Sequence, residues 1–131
     1  MAIQTTGLGH LELRVTDLAR AKAFYTDTLG FEHVKDGAGF VVVNAGGMML
    51  GLVGASDEMH PGDRFVPHRV ELDHIALSVA DAGALTDFQP QLDAAGVPNN
   101  GIEHDEALGG AYISFYDPDG IAWELYAMPT A

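Results

Sequence analysis

Apolar and polar residues alternate with period two in two short stretches that read almost alike. In Gly9-His10-Leu11-Glu12-Leu13-Arg14-Val15-Thr16-Asp17 the apolar set is Leu11, Leu13 and Val15. In Asp73-His74-Ile75-Ala76-Leu77-Ser78-Val79-Ala80-Asp81 it is Ile75, Leu77 and Val79, with His74 standing 64 residues after His10. Such alternation sends successive side chains to opposite faces of a sheet. Each copy therefore predicts a strand with one face packed under a helix and a histidine on the other face. Two equivalent histidines from two equivalent strands can converge on one point across a pseudo-two-fold axis.

After each strand the apolar spacing changes to that of a helix. Asp17 is placed to cap a helix through Ala19–Tyr25, with Leu18, Ala21, Phe24 and Tyr25 as its apolar stripe and Gly30 as its terminator. Strands Phe31–Lys35 and Phe40–Asn44 follow, joined by a turn at Asp36-Gly37-Ala38-Gly39, and then an apolar strand Met48–Val53. The second half repeats the order. Asp81 caps a helix over Ala84–Ala95, a strand follows near Ile102, then Ala111–Tyr116, a turn at Asp117-Pro118-Asp119-Gly120, and a last strand Ile121–Met128. The prediction is an α+β protein: a single domain of two βαβββ modules, residues 6–54 and 71–128, forming a cup-shaped, incompletely closed mixed sheet with helices outside. The intervening Gly54–Glu71, rich in Gly, Pro, Asp and His, reads as a long surface connection.

Composition narrows the class of function. With 19 acidic against 6 basic residues in a chain of 131, nucleic acid and anionic membrane surfaces are poor partners, since both call for clustered Lys and Arg. Hydrophobic residues make up 47%, which is globular, yet no run approaches the ~20 apolar residues of a membrane span. The absence of cysteine removes disulfides, thiolate nucleophiles and sulfur ligation. The first residues lack a basic start and apolar core, so the expected location is the cytoplasm.

Several polar residues are candidates for chemistry. Glu124 lies between Trp123 and Leu125, so alternation turns it to the face opposite the helices, with Ala122 and Tyr126. Its plainer alternative is a salt bridge with Arg14 or Arg69. Glu12 and Arg14 share the face of His10, either orienting a ligand from behind or pairing with each other. His104 and Glu106 fall in the stretch before the Tyr112 strand, where they contact substrate or act as a general base, or else belong to a solvated polar loop. His33, His60 and His68 read as solvated.

The paired strand histidines, Ala23-Phe24-Tyr25 leading to Leu29-Gly30-Phe31, and Phe115-Tyr116-Asp117-Pro118-Asp119-Gly120 with Glu124 four residues on, carry a family resemblance. Over almost its whole length the chain resembles the vicinal oxygen chelate superfamily. That group includes glyoxalase I, extradiol ring-cleaving dioxygenases, fosfomycin-resistance thiol transferases and bleomycin-resistance proteins. The resemblance implies metal ligands from the first and last strands of each half, which here are His10, His74 and Glu124. Aligning Gly47–Val53 with Gly120–Tyr126 puts Gly51 where the first half would supply its acid, leaving three protein ligands; Gly51→Glu is expected to fit there. Two imidazoles and a carboxylate suit Fe(II), Mn(II), Ni(II) or Zn(II) with open positions for two adjacent substrate oxygens. The implied cavity includes Glu12, Arg14, Gly51, Ser114 and Tyr126, with His104, Glu106 and Tyr112 as candidate catalytic groups.

The implied function is a metal-dependent enzyme in the lyase, isomerase or transferase range, acting on a small molecule as a homodimer. Two alternatives stand beside it. Ring cleavage with Fe(II) is one, although Ser114 occupies the place of the dioxygenase signature tyrosine. Sequestration of a cationic antibiotic without catalysis is the other, which the net charge of −13 suits.

Overall fold

The computed structural model describes residues 2–129. They divide into two compact units, one ending at Asp63 and one beginning at Arg64, and each has the order βαβββ. The first comprises β1 (His10–Arg14), α1 (Leu18–Ala23), which runs on into a π-helical turn (Phe24–Thr28), β2 (Glu32–Gly37), β3 (Phe40–Ala45) and β4 (Met48–Val53). The second comprises β5 (Ile75–Ser78), α2 (Ala82–Ala94), β6 (Asn99–His104), β7 (Ala111–Tyr116) and β8 (Ala122–Ala127). The sheets have equivalent orders, β1-β4-β3-β2 and β5-β8-β7-β6, with the first-named pair parallel and the others antiparallel.

Both predicted helix starts are present. The Asp17 carboxylate accepts from the Arg20 amide at 3.0 Å, and that of Asp81 from the Ala84 amide at 3.0 Å, each satisfying an amide the first helical turn leaves unpaired. Gly30 ends the first helix with φ +75°, a conformation that costs a side chain-bearing residue more. The buried residues follow the alternation. Leu13, Val15, Val41, Val43, Leu50 and Leu52 line the helix side of the first sheet; Ile113, Phe115 and Trp123 do so in the second, with Leu85 and Leu92 from α2.

Several boundaries differ from the sequence reading. The first hairpin is tighter than expected, because Asp36 and Gly37 stay in β2 and only Ala38 and Gly39 turn. A β-carbon on Gly37 would run into the edge of the Phe40 ring, so a larger residue there would have to displace that ring. The first helix gains a π turn, closed by Leu29 N–H to Phe24 C=O and Phe31 N–H to Tyr25 C=O at 2.9 Å each. His74 lies one residue ahead of β5 rather than inside it. The 54–71 stretch is free of helix and strand, as read from its composition. Among the described residues no helix is long and apolar enough to cross a membrane.

Candidate functional site

The second sheet carries a polar face opposite α2. Pairing of β7 with β8 sets Ser114 beside Glu124 and Tyr112 beside Tyr126, and pairing of β6 with β7 sets Glu103 beside Tyr112. His74 reaches the same face from just ahead of β5. Its Nε2 lies 3.4 Å from Glu124 Oε1, while its Nδ1 lies 2.7 Å from Asp73 Oδ1.

This chain of three groups has a definite electrostatic logic. Asp73 can only accept, so Nδ1–H donates to it, and Nε2 stands within ion-pair distance of the Glu124 carboxylate. At 3.4 Å an imidazole nitrogen and a carboxylate oxygen are placed either to share a proton or to ligate one metal ion side by side. Burial holds the Glu124 carboxyl above its ordinary range, against the pull of His74, and Asp105, Asp73 and Glu103 add to the rise. The donor set therefore suits a divalent ion, which would relieve the charge that folding imposes on Glu124.

A second polar group borders the first. The Tyr126 hydroxyl donates to Asp105 Oδ2 at 2.6 Å and accepts from the Gly110 amide at 3.2 Å. Burial and then Asp105 push its phenol up, so it stays protonated. The Tyr112 ring stacks parallel to it with centroids 6.1 Å apart, and the hydrogen bond with Glu103 keeps the Tyr112 phenol above its usual range. Asp105 is held below the usual carboxylate range by that tyrosine hydroxyl and by the Ala107 and Leu108 amides it caps. Tyr126→Phe removes both bonds, and amide exchange at Gly110 is expected to quicken about tenfold while the sheet amides of β7 are unchanged. Unaltered exchange at Gly110 would show that Tyr126 does not hold the loop.

Residues 7–125 match the family model for the Glyoxalase/Bleomycin resistance protein/Dioxygenase superfamily. The chain belongs to this superfamily. It is 34% identical over 125 residues to the catechol-2,3-dioxygenase of Bacillus subtilis, a match that covers 84% of this chain and 41% of that protein. The chain thus spans less than half the length of that relative. Among solved structures, the glyoxylase/bleomycin resistance protein/dioxygenase domain from Frankia sp. EAN1pec aligns at a TM-score of 0.85 with 26% identity, covering 96% of this chain and 100% of that one. The lactoylglutathione lyase of Agrobacterium tumefaciens aligns at 0.72 with 23% identity, covering 93% of each chain, and shares the fold.

Within this superfamily scaffold the site residues read from sequence fare unequally. His74 and Glu124 come together; His10, at the start of β1, belongs to the first unit. Among the described residues no three His, Asp or Glu side chains form a group able to hold an ion. His104 is not in a loop: it closes β6 opposite Ala111, so its side chain leaves from the face away from Tyr112 and Glu124. Glu106 sits on an exposed turn. Arg14 donates to the Gly54 carbonyl at 2.9 Å, its observed partner in place of Glu12. Gly51 falls opposite Glu12 across β1 and β4, and a β-carbon there would stand 2.9 Å from Glu12 Cγ, so Gly51→Glu does not fit while Glu12 holds that position. Sequence reasoning missed Asp73, Glu103 and Asp105. Only Asp105 left a signal, an acid four residues ahead of Gly109-Gly110 in the manner of a turn.

Proposed function

We propose that this chain is a divalent-metal-dependent enzyme that takes a small substrate through two adjacent oxygen atoms. His74 and Glu124 are its ligands in the second unit, and His10, the repeat-equivalent of His74, is its ligand in the first. The observation that carries the reading is the approach of His74 Nε2 to Glu124 Oε1 at 3.4 Å, with Asp73 behind the ring at Nδ1. When bound, an Fe(II), Mn(II), Ni(II) or Zn(II) ion supplies a Lewis acid that stabilises negative charge on the substrate oxygens.

The protein's own residues do the rest. Asp73, 2.7 Å from His74 Nδ1, orients the His74 ring, and His74 and Glu124 would hold the ion from this unit. Tyr112 keeps its proton at Oη on the same face, where it can donate to a substrate oxygen. The reaction range is that of a glyoxalase-like lyase, isomerase or transferase. A second reading, extradiol-type ring cleavage of a catechol, is favoured by the 34% identity to the Bacillus subtilis catechol-2,3-dioxygenase. In that reading Tyr112, two residues before Ser114 and on its face, supplies the phenol that the signature position lacks. A homodimer is part of the proposal as well, since β2 lies exposed along its whole length at the edge of its sheet.

Metal analysis of protein purified without chelator or affinity tag is the test. We expect about one transition ion per chain, lost in His74→Ala. Iron together with oxygen uptake on adding a catechol selects ring cleavage; manganese, nickel or zinc without oxygen uptake selects the first reading. No ion, even after reconstitution, overturns both.

A further inference from the structure

The bulge in β6 leaves a reactive dipeptide at the edge of the second sheet. Pairing passes from Asn99–Phe115 directly to Ile102–Ile113, so Asn100 and Gly101 stand together opposite Ser114, outside the regular ladder. Of the three asparagines in the chain, only Asn100 precedes glycine. Asn100 is exposed, and Gly101 takes φ +74°, a conformation that favours glycine. With no side chain at 101, little hinders its backbone nitrogen from reaching the Asn100 carboxamide.

The Gly101 amide is nevertheless held. Its N–H donates to Asn99 Oδ1 at 3.1 Å. The Asn99 side chain is itself fixed, its Nδ2 donating to Asp93 Oδ1 at 2.8 Å and to the Val97 carbonyl at 3.1 Å. A hydrogen-bonded N–H is a poor nucleophile, since the attacking nitrogen must first give up its proton. Asn99 thus restrains the reaction that Gly101 invites.

We propose that Asn100 is a site of spontaneous deamidation, with Asn99 setting its rate. When the Asn99 side chain swings away, hydroxide removes the Gly101 amide proton and the nitrogen attacks Asn100 Cγ. The bond from Cγ to Nδ2 breaks, Nδ2 leaves as ammonia, and a cyclic succinimide forms. Water then opens one imide carbonyl, giving aspartate or isoaspartate at position 100 with no change of oxidation state. The reaction needs only water and hydroxide and is independent of any bound ion. The Asn100 amide donates to the Tyr116 hydroxyl at 3.4 Å, and Tyr116 shares its face of β7 with Ser114 and Tyr112. The new carboxylate therefore arises on the polar face that carries Glu124, and the isoaspartyl form also lengthens the backbone just ahead of Glu103.

Peptide mapping by mass spectrometry tests this on the full chain, kept folded in mildly alkaline buffer beside a urea-unfolded sample. Position 100 is expected to gain the mass of water less that of ammonia, as paired aspartyl and isoaspartyl peptides. Asn44, followed by alanine, should stay intact over the same period. Asn100→Gln is expected to stop the reaction, and Asn99→Ala to quicken it in the folded state about tenfold, the worth of one hydrogen bond. Urea below the unfolding transition gives a second readout should that variant fold poorly. It is expected to raise Gly101 amide exchange and Asn100 conversion by the same factor. An intact Asn100 in the folded protein, over a period in which the unfolded sample converts, overturns the site. Equal rates in wild type and a folded Asn99→Ala, or conversion that rises without Gly101 exchange, overturn the role of Asn99.

Discussion

Glu124→Gln is expected to abolish cation binding and, in the absence of cation, to make the protein more stable than wild type at neutral pH. Burial raises the Glu124 carboxyl in the folded state, so folding favours its protonated form. A carboxyl raised above its unfolded value contributes stability that is fully present below the ordinary glutamate pKa and lost as pH rises through the raised one. Above that point the folded protein holds a partly buried carboxylate that His74 attracts but that desolvation, Asp105, Asp73 and Glu103 together disfavour. Glutamine keeps the shape and removes the charge. The melting temperature of wild type minus that of Glu124→Gln should therefore fall as pH rises from acid to neutral.

Cation reverses the order. At a free ion concentration about 100 times the dissociation constant, binding adds ~2.7 kcal/mol, which is several degrees of melting temperature for a protein of this size. Wild type gains that increment and the glutamine variant does not. His74→Ala is expected to lose the increment too, and to fold normally, because the His74 ring is 43% exposed and outside the helix-packed core. A glutamine variant stabilised by cation as much as wild type would remove Glu124 from the site.

The parts of this protein that could be read in advance are those where local alternation and burial agree. Ala111–Tyr116 and Met48–Val53 were legible to the residue because each has a clear apolar side and flanking glycines. The placement of His10 and Glu12 on one face of β1, and of Glu124 opposite the helix side of β8, followed from the same period. Alternation fails at β6. Asn99-Asn100-Gly101-Ile102-Glu103-His104 has one large apolar residue, and the pairing slips between Asn99 and Ile102. A bulge of one residue exchanges the faces of everything beyond it, which is why Glu103 rather than His104 joins Tyr112. Asp73 escaped for another reason. Its role depends on the rotation of the His74 ring, and nothing in strand periodicity fixes a side-chain torsion. The Asp105–Tyr126 bond joins residues 21 apart through a folded loop, and pattern cannot reach that far.

That loop also supplies the site's least tolerant position. Gly110→Ala is expected to destabilise the protein by about 3 kcal/mol, the upper part of the range for overpacking a filled site. A β-carbon at 110 would stand 2.5 Å from the Ala127 carbonyl oxygen and 2.6 Å from Tyr126 Cζ, with the ring edge nearer still. One obstacle is backbone in β8 and the other a ring pinned by two hydrogen bonds and a stacked neighbour, so neither can step aside cheaply. Relief requires the Tyr126 ring to leave, which breaks its bond to Asp105, frees the turn at 106–108 and unstacks Tyr112. The substitution should thus register twice: as a drop in melting temperature of roughly ten degrees or more, and as a change in tyrosine fluorescence and near-ultraviolet dichroism from the Tyr112–Tyr126 pair. Combining it with Tyr126→Leu, which removes the planar ring, should recover most of the stability. If the double variant is no more stable than Gly110→Ala alone, the clash with the Ala127 carbonyl dominates and the tyrosine ring is not what requires glycine there.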